Sequence, residues 1–399
     1  MMDITIFPGT LRGTVQAIPS KSQAHRMLIC AAFADQETTL RCRCTNQDIE
    51  ATADCLRSLG AVIDRTEDAY IVTPITHQPK NVVLDCRESG STLRFLLPIV
   101  GALGLDATFI MRGRLPERPL SPLWEEMERM GCRLFRPSKD QLRCTGQLRA
   151  GSYFIDGNVS SQFITGLLFA TALLSGRSSL TINGKLESKP YVDMTLQSMA
   201  LFGISASDFQ ITGPAVFHSP GTFDVEGDWS NAAFFLAARM LGNPLSVTGL
   251  NTDSAQGDRA AAEILDSMTG SITVSASDIP DLIPILAVAA AGTHGAVFTH
   301  IQRLRLKESD RVSAVLSMLN AFGIDAEATE DTLRVYPGSF HSCTVDSKND
   351  HRIAMSAAIA AVLADGPVTI LNAHCVEKSY PTFWEEYRRL GGNYEQYIR

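Results

Sequence analysis

Residues 301–316, IQRLRLKESDRVSAVL, carry a mixed set of charges directly before an apolar stretch. Six charged side chains fall within nine positions: Arg303, Arg305, Lys307, Glu308, Asp310 and Arg311. The apolar residues that follow recur at helical spacing, so the sequence predicts a helix whose first turn begins near Lys307. On such a turn Lys307 and Arg311 lie on one side, and Glu308 lies beside Arg311. This arrangement would pair an acid with two cations, but ion pairing at a solvated helix end also explains the run.

Two other segments place anion-binding groups at predicted helix starts. PSKSQAHR sets Lys21 and Arg26 around a start that Ser20 or Ser22 would cap. A phosphate or carboxylate there would meet free backbone N–H groups, a hydroxyl and two cations. A capped surface helix is the simpler alternative. DGNVSSQF adds uncharged donors that suit phosphate oxygens, namely Ser160, Ser161 and Gln162.

Several arginines lie in a loop whose flexibility is restricted by prolines, residues 112–123, which we call the arginine loop. RGRLPERPLSPL and the residues after it contain Arg112, Arg114, Arg118 and Arg129. A guanidinium binds carboxylate or phosphate through a planar pair of donors, and proline would stiffen the loop that presents it. A solvated surface loop is the competing interpretation. Near the C-terminus, NDHRIAM and VEKSYPTFW contribute further candidates: His351, Arg352 and Lys378.

These segments belong to a unit that recurs six times along the chain. In each copy a helical stretch is followed by glycine and a short β-like run, with glycines at positions 60, 131, 203, 270, 323 and 391. Glycine there lets a helix end in the left-handed conformation. Polar openings before long apolar helices interleave with this pattern, starting near 20, 88, 160, 228, 278 and 349. The repeat predicts an α/β architecture of units of roughly 50 to 70 residues, rather than a Rossmann sheet.

The composition excludes several classes of protein. At 399 residues the chain exceeds what one hydrophobic core usually serves, which predicts two domains. A formal net charge of -8 argues against broad attachment to nucleic acid or to an anionic membrane. The longest apolar runs are too short to cross a bilayer, and the N-terminus predicts a strand rather than a secretory signal. We therefore expect a cytoplasmic protein.

The cysteines give no sign of a metal site. Nine are scattered along the chain, without a Cys-x-x-Cys pair or a histidine at metal-binding spacing. We expect buried free thiols and no metal.

Nine motifs together resemble one known family. SKSQAHR, ESGSTLRFLLP, PERPLSPL, DGNVSSQF, ESKPYVDMT, IPDLIP, RLRLKESDR, NDHR and EKSYPTFWE occur in this order. Both the motifs and their order are similar to the 5-enolpyruvylshikimate-3-phosphate synthases, which are enolpyruvyl transferases. The resemblance spans almost the entire chain.

The resemblance implies a two-domain enolpyruvyl transferase fold of the α/β (α+β) type. Each domain would contain three repeated βαβαββ-like units with buried helices, and the active site would lie in the cleft between the domains. One domain would comprise residues 1–19 plus 228–399, with residues 20–227 inserted as the other. Without the resemblance, the repeat pattern suggests only a division into halves.

The family's reaction needs no cofactor. The resemblance implies transfer of the enolpyruvyl group of phosphoenolpyruvate to the 5-hydroxyl of shikimate 3-phosphate, with release of phosphate. Both substrates carry phosphate and carboxylate groups, so cations at helix starts suit them. The implied partners are these small molecules, without nucleic acid or membrane, and we expect a monomer.

The resemblance also implies roles for individual residues. The shikimate 3-phosphate site would contain Lys21, Ser22, Arg26, Ser160, Ser161, Gln162, Ser188, Tyr191, Asp281 and Lys307. The phosphoenolpyruvate site would contain Lys21, Gly90, Arg118, Gln162, Arg311, Arg352 and Lys378. The catalytic residues would be Asp281, Glu308 and Lys21. Asp281 resembles the base at the attacking hydroxyl, and Glu308 resembles the acid that protonates the methylene carbon and later takes that proton back.

Two departures from the family pattern concern fine contacts. Glu88 and Arg303 stand where many relatives have asparagine. They leave substrate affinity and inhibitor sensitivity open, whereas the reaction itself does not depend on them.

Three rival functions can be weighed from the sequence. The sister enzyme that acts on UDP-N-acetylglucosamine has Lys-Asn at the first helix start and a cysteine in the arginine loop, whereas this chain has Lys21-Ser22 and no cysteine there. A catalytically silent anion-binding module would not need both Asp281 and Glu308. A nucleic-acid binder of similar repeat architecture would need a basic face.

Overall fold

The computed structural model describes residues 2–398 and divides the chain into two compact units. Unit 1 combines Met1–Ile18 with Glu226–Arg399, and unit 2 is the continuous segment Pro19–Val225. Each unit has its own hydrophobic core, since one cluster of buried side chains lies wholly in unit 1 and the other wholly in unit 2.

Helices make up the interior of both units. Those of unit 2 are α1 (Lys21–Ala32), α2 (Gln47–Ser58), α3 (Gly90–Leu103), α4 (Leu123–Arg129), α5 (Ser161–Leu173) and α6 (Lys189–Leu201). Those of unit 1 are α7 (Trp229–Met240), α8 (Ala260–Ser267), α9 (Ile283–Ala291), α10 (Arg311–Ala321), α11 (His351–Ala360) and α12 (Phe383–Arg389). Helices α1, α3, α5, α7, α9 and α11 are buried over most of their length because, beyond their starts, their residues are mostly small or apolar.

Short strands surround these helices. The strands of unit 2 are β3 (Thr38–Arg41), β4 (Val62–Arg65), β5 (Ala69–Thr73), β6 (Asn81–Asp85), β7 (Asp106–Ile110), β8 (Cys132–Ser138), β9 (Gln141–Gly146), β10 (Ser152–Asp156), β11 (Gly176–Asn183), β12 (Gln210–Gly213) and β13 (Thr222–Asp224). The strands of unit 1 are β1 (Met2–Phe7), β2 (Gly13–Gln16), β14 (Leu245–Thr248), β15 (Ile272–Ser275), β16 (Ala296–Thr299), β17 (Ala326–Ala328), β18 (Thr332–Val335), β19 (Cys343–Asp346), β20 (Val368–Leu371) and β21 (Asn393–Ile398).

The sheets repeat one pairing pattern. The sheets of unit 2 are β13-β3-β5-β4, β6-β7-β9-β8 and β10-β11-β12, and those of unit 1 are β14-β2, β15-β16-β18-β17 and β19-β20-β1-β21. In each sheet the first pair is parallel and any further pair is antiparallel. The order β6–α3–β7–α4–β8–β9 is a βαβαββ unit. The predicted α/β repeat fold is therefore confirmed.

Five of the six predicted polar openings are side-chain caps of the buried helices. The capping residues, each accepting from a backbone N–H of the first turn, are Ser20, Ser89, Ser160, Asp228 and Asp350. Helix α9 differs, because the residue before it is Leu282 and no side chain caps it. Asp281, just outside this helix start, is left available for other contacts.

The glycine prediction holds at five positions out of six. Glycines 60, 131, 203, 323 and 391 have φ between 80° and 117°, the left-handed conformation in which helices end. Gly270 was predicted to do the same, but it is absent from the glycines with positive φ. Helix α8 ends earlier, at Ser267, with Met268 as its C-cap. The turn into β15 therefore forms without a left-handed glycine at position 270.

The predicted start of the charged helix was wrong. A short 3₁₀ segment, Gln302–Leu306, precedes the helix, and α10 itself begins at Arg311 with Asp310 as its cap. Lys307 has extended backbone angles, so it does not share a helical face with Arg311. Asp310 caps α10, because its side chain accepts a hydrogen bond from the Ser313 N–H. The helix therefore begins at the residue after Asp310.

The cysteines and apolar helices agree with the composition. All nine cysteines are free thiols, and seven of them are buried. Within residues 2–398, no helix combines the length and the hydropathy that crossing a membrane requires.

Candidate active site

Helix α1 begins with the first residues of the predicted anion site. Ser20 caps it by accepting from the Gln23 N–H at 3.4 Å, and Lys21 and Ser22 form its first turn. The Lys21 Nζ lies 3.0 Å from an Asp48 carboxylate oxygen, and both side chains are mostly buried. Asp48 was not predicted from the sequence, because it lies 27 residues further along and on a different helix. The backbone N–H groups of a helix start, a hydroxyl and an ammonium thus share one helix end, as anion binding requires.

Arg26 ties the start of α1 to α6. Its side chain is almost fully buried. Its Nε donates to Thr195 Oγ1 at 2.9 Å, and its Nη2 donates to the Tyr191 carbonyl at 2.9 Å. Its Nη1 donates to the Ser22 carbonyl at 2.6 Å. Burial lowers the pKa of the Arg26 guanidinium to about 10, so the side chain stays protonated at neutral pH.

Polar contacts join the first turns of α3 and α5. Arg94 Nη1 donates to Gln162 Oε1 at 3.3 Å, and Gln162 Nε2 donates to Ser91 Oγ at 3.0 Å. Arg94 Nη2 also donates to the Pro119 carbonyl at 3.1 Å. Since Pro119 belongs to the arginine loop, Arg94 fixes that loop against α3. Arg94 lies in the motif ESGSTLRFLLP but was not predicted as a site residue.

Arg118 lies beside the N-terminus of α3. A Cβ added at Gly90 would lie 2.6 Å from Arg118 Nη1 and 2.7 Å from Arg94 Nη1. A side chain at position 90 would therefore require both guanidinium groups to move away from this helix start. The other arginines suggested for this loop form ion pairs: Arg112 with Asp85, Arg114 with Glu117, and Arg129 with Glu126.

The remaining predicted residues of unit 2 lie at two further helix starts. Ser160 caps α5, and Ser161 is its first residue. Ser188 precedes α6 in a left-handed conformation with φ of 54°, and Tyr191 lies in the first turn of that helix. The structure therefore gathers all ten predicted residues of unit 2 at the starts of α1, α3, α5 and α6 and in the adjoining arginine loop.

In unit 1, Arg311 pairs with three carboxylates. Its Nη2 lies 2.6 Å from Glu308 and its Nε lies 2.9 Å from Asp350, while its Nη1 contacts Asp281. The Arg311 side chain is only 1% exposed. Lys307 Nζ approaches Asp281 at 3.2 Å and supplies a second positive charge. Buried carboxylates at such distances are stable only with matched cations.

The neighbouring cations keep Asp281 ionised. Burial alone would raise the pKa of the Asp281 carboxyl, but Lys307, Arg311 and Arg352 outweigh it and hold this pKa well below its ordinary value. Burial also lowers the pKa of the Lys307 ammonium, although Asp281 opposes this shift. At neutral pH Asp281 is therefore a carboxylate that can accept hydrogen bonds but holds its own proton weakly.

Asp350 organises this cluster and was missed by the sequence reasoning. It is fully buried, and one of its oxygens accepts from Arg311 Nε and from Ser309 Oγ, both at 2.9 Å. Its other oxygen caps α11 by accepting from the Arg352 N–H at 2.9 Å. The available signal was its place as the acidic residue of a repeated polar opening, a position that its counterpart Asp228 also occupies.

Arg352 and Lys378 complete the cations of unit 1. The Arg352 Nη1 donates to the Ser230 carbonyl at 2.9 Å, and the Lys378 Nζ donates to the Asn349 carbonyl at 2.9 Å. Both side chains are almost entirely buried. Because Asn349 and Asp350 are neighbours in the chain, Lys378, Arg352 and Arg311 are all attached to one helix start, that of α11.

The two departures from the family pattern lie near these residues in sequence. Glu88 precedes the cap of α3, and its carboxylate lies over Gly113 in the arginine loop. Arg303 lies in the 3₁₀ segment Gln302–Leu306 and is partly buried.

The two sets of residues differ in what they can do chemically. Unit 2 offers cations, hydroxyls and helix N-termini, which hold anions. Unit 1 adds carboxyl groups close to cations, which can move protons. Within residues 2–398, no group of three or more His, Cys, Asp and Glu side chains is arranged to hold a metal ion.

Comparison with protein families gives a match over nearly the whole chain. Residues 7–387 match the family model described as EPSP synthase (3-phosphoshikimate 1-carboxyvinyltransferase). A protein of Clostridium kluyveri named 3-phosphoshikimate 1-carboxyvinyltransferase is 38% identical over 423 residues, which cover 100% of this chain and 99% of that one. A protein of the same name from Clostridium botulinum is 38% identical, with 98% of each chain covered.

Solved structures share the fold at lower identity. EPSP synthase from Acinetobacter baumannii superposes with a TM-score of 0.82 at 23% identity, covering 100% of both chains. The enolpyruvyl transferase NikO from Streptomyces tendae superposes with a TM-score of 0.76 at 18% identity, covering 100% of this chain and 99% of that one. At these identities the structures establish the fold alone.

Proposed function

The chain belongs to the EPSP synthase family, and from that premise we propose that it transfers the enolpyruvyl group of phosphoenolpyruvate to the 5-hydroxyl of shikimate 3-phosphate. The products are 5-enolpyruvylshikimate 3-phosphate and inorganic phosphate, a step of the shikimate pathway toward aromatic amino acids. The observation that carries the proposal is the identity of 38% with a named 3-phosphoshikimate 1-carboxyvinyltransferase along the full length of both chains.

The residues of unit 2 hold the substrate anions. Lys21, Ser22 and Arg26 bind shikimate 3-phosphate at the start of α1, and Lys21 also reaches phosphoenolpyruvate. The rest of the shikimate 3-phosphate set in this unit is Ser160, Ser161, Gln162, Ser188 and Tyr191. Gly90, Arg118 and Gln162 serve phosphoenolpyruvate. The convergence of the Arg118 and Arg94 guanidinium groups on Gly90 supports this assignment, since a carboxylate or phosphate needs such donors.

The residues of unit 1 supply the remaining cations and the proton transfers. Arg311, Arg352 and Lys378 bind phosphoenolpyruvate, and Lys307 fixes the attacking hydroxyl. Glu308 gives a proton to the methylene carbon of phosphoenolpyruvate, which creates a cationic centre at the adjacent carbon. The 5-hydroxyl attacks that centre and passes its proton to Asp281. The resulting ketal loses a methyl proton to Glu308 and expels phosphate, and the leaving phosphate takes up the hydroxyl proton held by Asp281, so both carboxyl groups end as they began.

The ion pairs of Asp281 must weaken before this carboxylate can act as a base. Lys307 and Arg311 both pair with this carboxylate and neutralise it. When substrate anions take up part of the positive charge of these two side chains, the Asp281 carboxylate becomes a stronger base. Substrate binding thus prepares the base for the hydroxyl proton.

The second candidate acceptor is UDP-N-acetylglucosamine, the substrate of the sister enolpyruvyl transferases. The fold alone does not separate the two, because enolpyruvyl transferases share it. Ser22 after Lys21 and the absence of cysteine from the loop RGRLPERPLSPL favour shikimate 3-phosphate. The chain works as a monomer in the cytoplasm on its small-molecule substrates, without nucleic acid or membrane.

The test is a coupled measurement of both products. Purified protein mixed with shikimate 3-phosphate and phosphoenolpyruvate is expected to release phosphate in step with new vinyl-ether proton signals in the NMR spectrum. Replacing shikimate 3-phosphate by UDP-N-acetylglucosamine is expected to abolish both signals. Folded protein that releases no phosphate from the first mixture would refute the proposal, and release only from the second would establish the alternative acceptor.

A further inference from the structure

A buried chain of four polar side chains connects three helices of unit 2. His25 on α1 contacts Thr52 on α2, with 2.7 Å between His25 Nδ1 and Thr52 Oγ1. Thr52 Oγ1 contacts Thr92 Oγ1 on α3 at 2.7 Å, and Thr92 Oγ1 donates to Ser89 Oγ at 2.7 Å. All four side chains have a relative exposure of 0%. We call this set, His25–Thr52–Thr92–Ser89, the His25 relay.

The donors and acceptors of the relay have one consistent direction. A hydroxyl carries a single proton, so Thr92, which donates to Ser89, must accept from Thr52. Thr52 in turn must accept from His25, which places the imidazole proton on Nδ1. The His25 Nε2 then carries no proton, and it has no hydrogen-bond partner among residues 2–398. An unpaired acceptor in the interior is more readily tolerated than an unpaired N–H.

The imidazole stays neutral over the working range of pH. Burial lowers the pKa of the His25 side chain well below its ordinary value, and the charges of Lys21 and Arg26 lower it further. The groups that face it are the hydroxyl of Thr52 and the ring of Phe95, 6.3 Å away between centroids. The relay is therefore a fixed structural connection rather than a titrating switch.

The two ends of the relay are attached to the substrate-binding residues. His25 directly precedes Arg26 and lies one helical turn after Lys21. Ser89 is the N-cap of α3, and it also accepts from the Thr92 N–H at 3.3 Å. Gly90 follows Ser89 and starts that helix. The relay thus fixes the first turn of α3 with respect to the first turn of α1.

Packing alone does not account for these side chains. Valine and leucine would fill similar volumes without removing polar atoms from water, and apolar replacements of satisfied buried pairs are often harmless to stability. Hydrogen bonds between fixed partners specify distance and angle more narrowly than apolar contacts do. Such precision is useful where guanidinium groups must meet a small anion at a helix N-terminus.

On the basis of the proposed function, we propose that the His25 relay is a positioning network for phosphoenolpyruvate. It holds the start of α3, with Gly90 beside the Arg118 guanidinium, at the distance from α1 that the anion requires. None of its four side chains needs to touch substrate or take part in proton transfer. Its loss is expected to weaken phosphoenolpyruvate binding selectively.

The kinetic test uses matched substitutions within one unit. Thr52→Val and Thr92→Val keep the side-chain shape and remove the hydroxyl, and each is expected to raise KM for phosphoenolpyruvate by about three- to tenfold. KM for shikimate 3-phosphate and kcat are expected to change by less than about twofold, since Arg26 is held separately by α6. Thr52→Ser restores the hydroxyl and is expected to restore KM.

A control substitution separates this effect from general loss of packing. Thr171→Val makes the same chemical change at a fully buried threonine near the other end of α5, where the hydroxyl donates to the Leu168 carbonyl of its own helix. It is expected to leave both KM values unchanged. Equal rises in both KM values for Thr52→Val, no rise at all, or the same selectivity in Thr171→Val would overturn the proposal.

A spectroscopic test does not depend on turnover. In protein with ¹⁵N-labelled histidine, the wild type is expected to show His25 protonated at Nδ1, without titration between about pH 5.5 and pH 8.5. Thr52→Val is expected to shift the Nδ1 resonance. Protonation at Nε2, or titration near the ordinary pKa, would refute the relay itself. A confirmed relay in a protein without turnover would instead count against the proposed reaction.

Discussion

At the scale of single residues, two carboxylates of the candidate site in unit 1, Asp281 and Glu308, are each paired with a cation. Asp281 contacts Lys307 and Arg311, and Glu308 lies 2.6 Å from Arg311. In the proposed assignment the cations provide the binding energy, so removing a carboxylate would not remove the groups that hold the substrate anions. The proposed roles therefore separate chemistry from binding.

The separation of catalysis from substrate binding is expected to appear in the kinetics of the variants. Asp281→Ala and Glu308→Ala are each expected to lower kcat by about 100-fold or more, because proton transfer is lost, while substrate dissociation constants change by less than about fivefold. Arg118→Ala is expected to raise KM for phosphoenolpyruvate chiefly. Steady-state kinetics and calorimetry measure both quantities.

The matched control for these variants is Glu330→Ala, which removes an exposed carboxylate of the same unit. It is expected to leave kcat unchanged. Calorimetry in which Asp281→Ala or Glu308→Ala no longer binds either substrate would overturn the assignment of these residues to chemistry.

The sequence predicted these contacts only in part. Glu308 beside Arg311 was predicted from helical spacing, and the contact is present although the two residues do not share a helix. Asp350 was missed because its partner Arg311 lies 39 residues away. Residue spacing within one segment gives no information on such a contact. The burial of an acidic cap can be seen only in the folded unit.

At the scale of elements, α3 and α5 approach each other closely below their first turns. Pro98 lies inside α3 and has no N–H to give to the Arg94 carbonyl. A Cβ added at Gly166 of α5 would lie 2.2 Å from that carbonyl oxygen and 3.0 Å from Pro98 Cγ. The pair of helices that carries Arg94 and Gln162 therefore depends on a glycine at position 166.

Substituting this glycine tests how the helices position the site. Gly166→Ala is expected to push α3 and α5 apart, to lower the free energy of unfolding by about 1–3 kcal/mol and to raise KM for phosphoenolpyruvate. Urea denaturation and steady-state kinetics measure the two effects. Gly270→Ala is the control, since a Cβ there would meet no atom within 4 Å and the residue has no positive φ. Equal stability of the two variants would show that the close approach is unimportant.

Elements were predictable where a periodic pattern was long. The six buried helices and their polar openings follow from apolar runs and caps. The start of α10 was misplaced because a 3₁₀ segment and an extended stretch carry the charged residues that precede the helix. The turn at Gly270 was misjudged because the helix before it ends three residues sooner, at Ser267.

At the scale of the whole molecule, the two hydrophobic cores differ in whether their residues come from one continuous segment of the chain. The buried side chains of unit 2 all come from one uninterrupted segment, whereas those of unit 1 come from both ends of the chain. A continuous segment with its own core is able to fold alone.

We expect residues 19–225 expressed alone to fold cooperatively and to lack turnover, because Asp281 and Glu308 are missing. Circular dichroism during urea titration would show a single sigmoidal transition. A fragment of residues 226–398 is the control. It lacks β1 and β2, so it is expected to remain unfolded until a peptide of residues 2–18 is added. A non-cooperative 19–225 fragment would show that unit 2 needs the rest of the chain.

The global arrangement was the least accessible to sequence reasoning. The repeat count of six and the α/β class follow from patterns within about 70 residues. The assignment of both chain ends to one domain rested on family resemblance alone. In the structure, the contact between Thr5 and Thr369 spans 364 residues, and no local pattern records it.

The central strand β1 has a consequence for synthesis of the protein. It pairs with β20 on one side and β21 on the other. The strand β1 is therefore translated long before the two strands with which it pairs. At about 5–20 residues per second, roughly 20 to 70 seconds pass between translation of Thr5 and translation of its partner Thr369. Unit 2 is fully translated within that interval and can fold, while both edges of β1 remain open to wrong partners. Avoiding wrong pairing on the ribosome thus requires that the edges of β1 be protected for this interval.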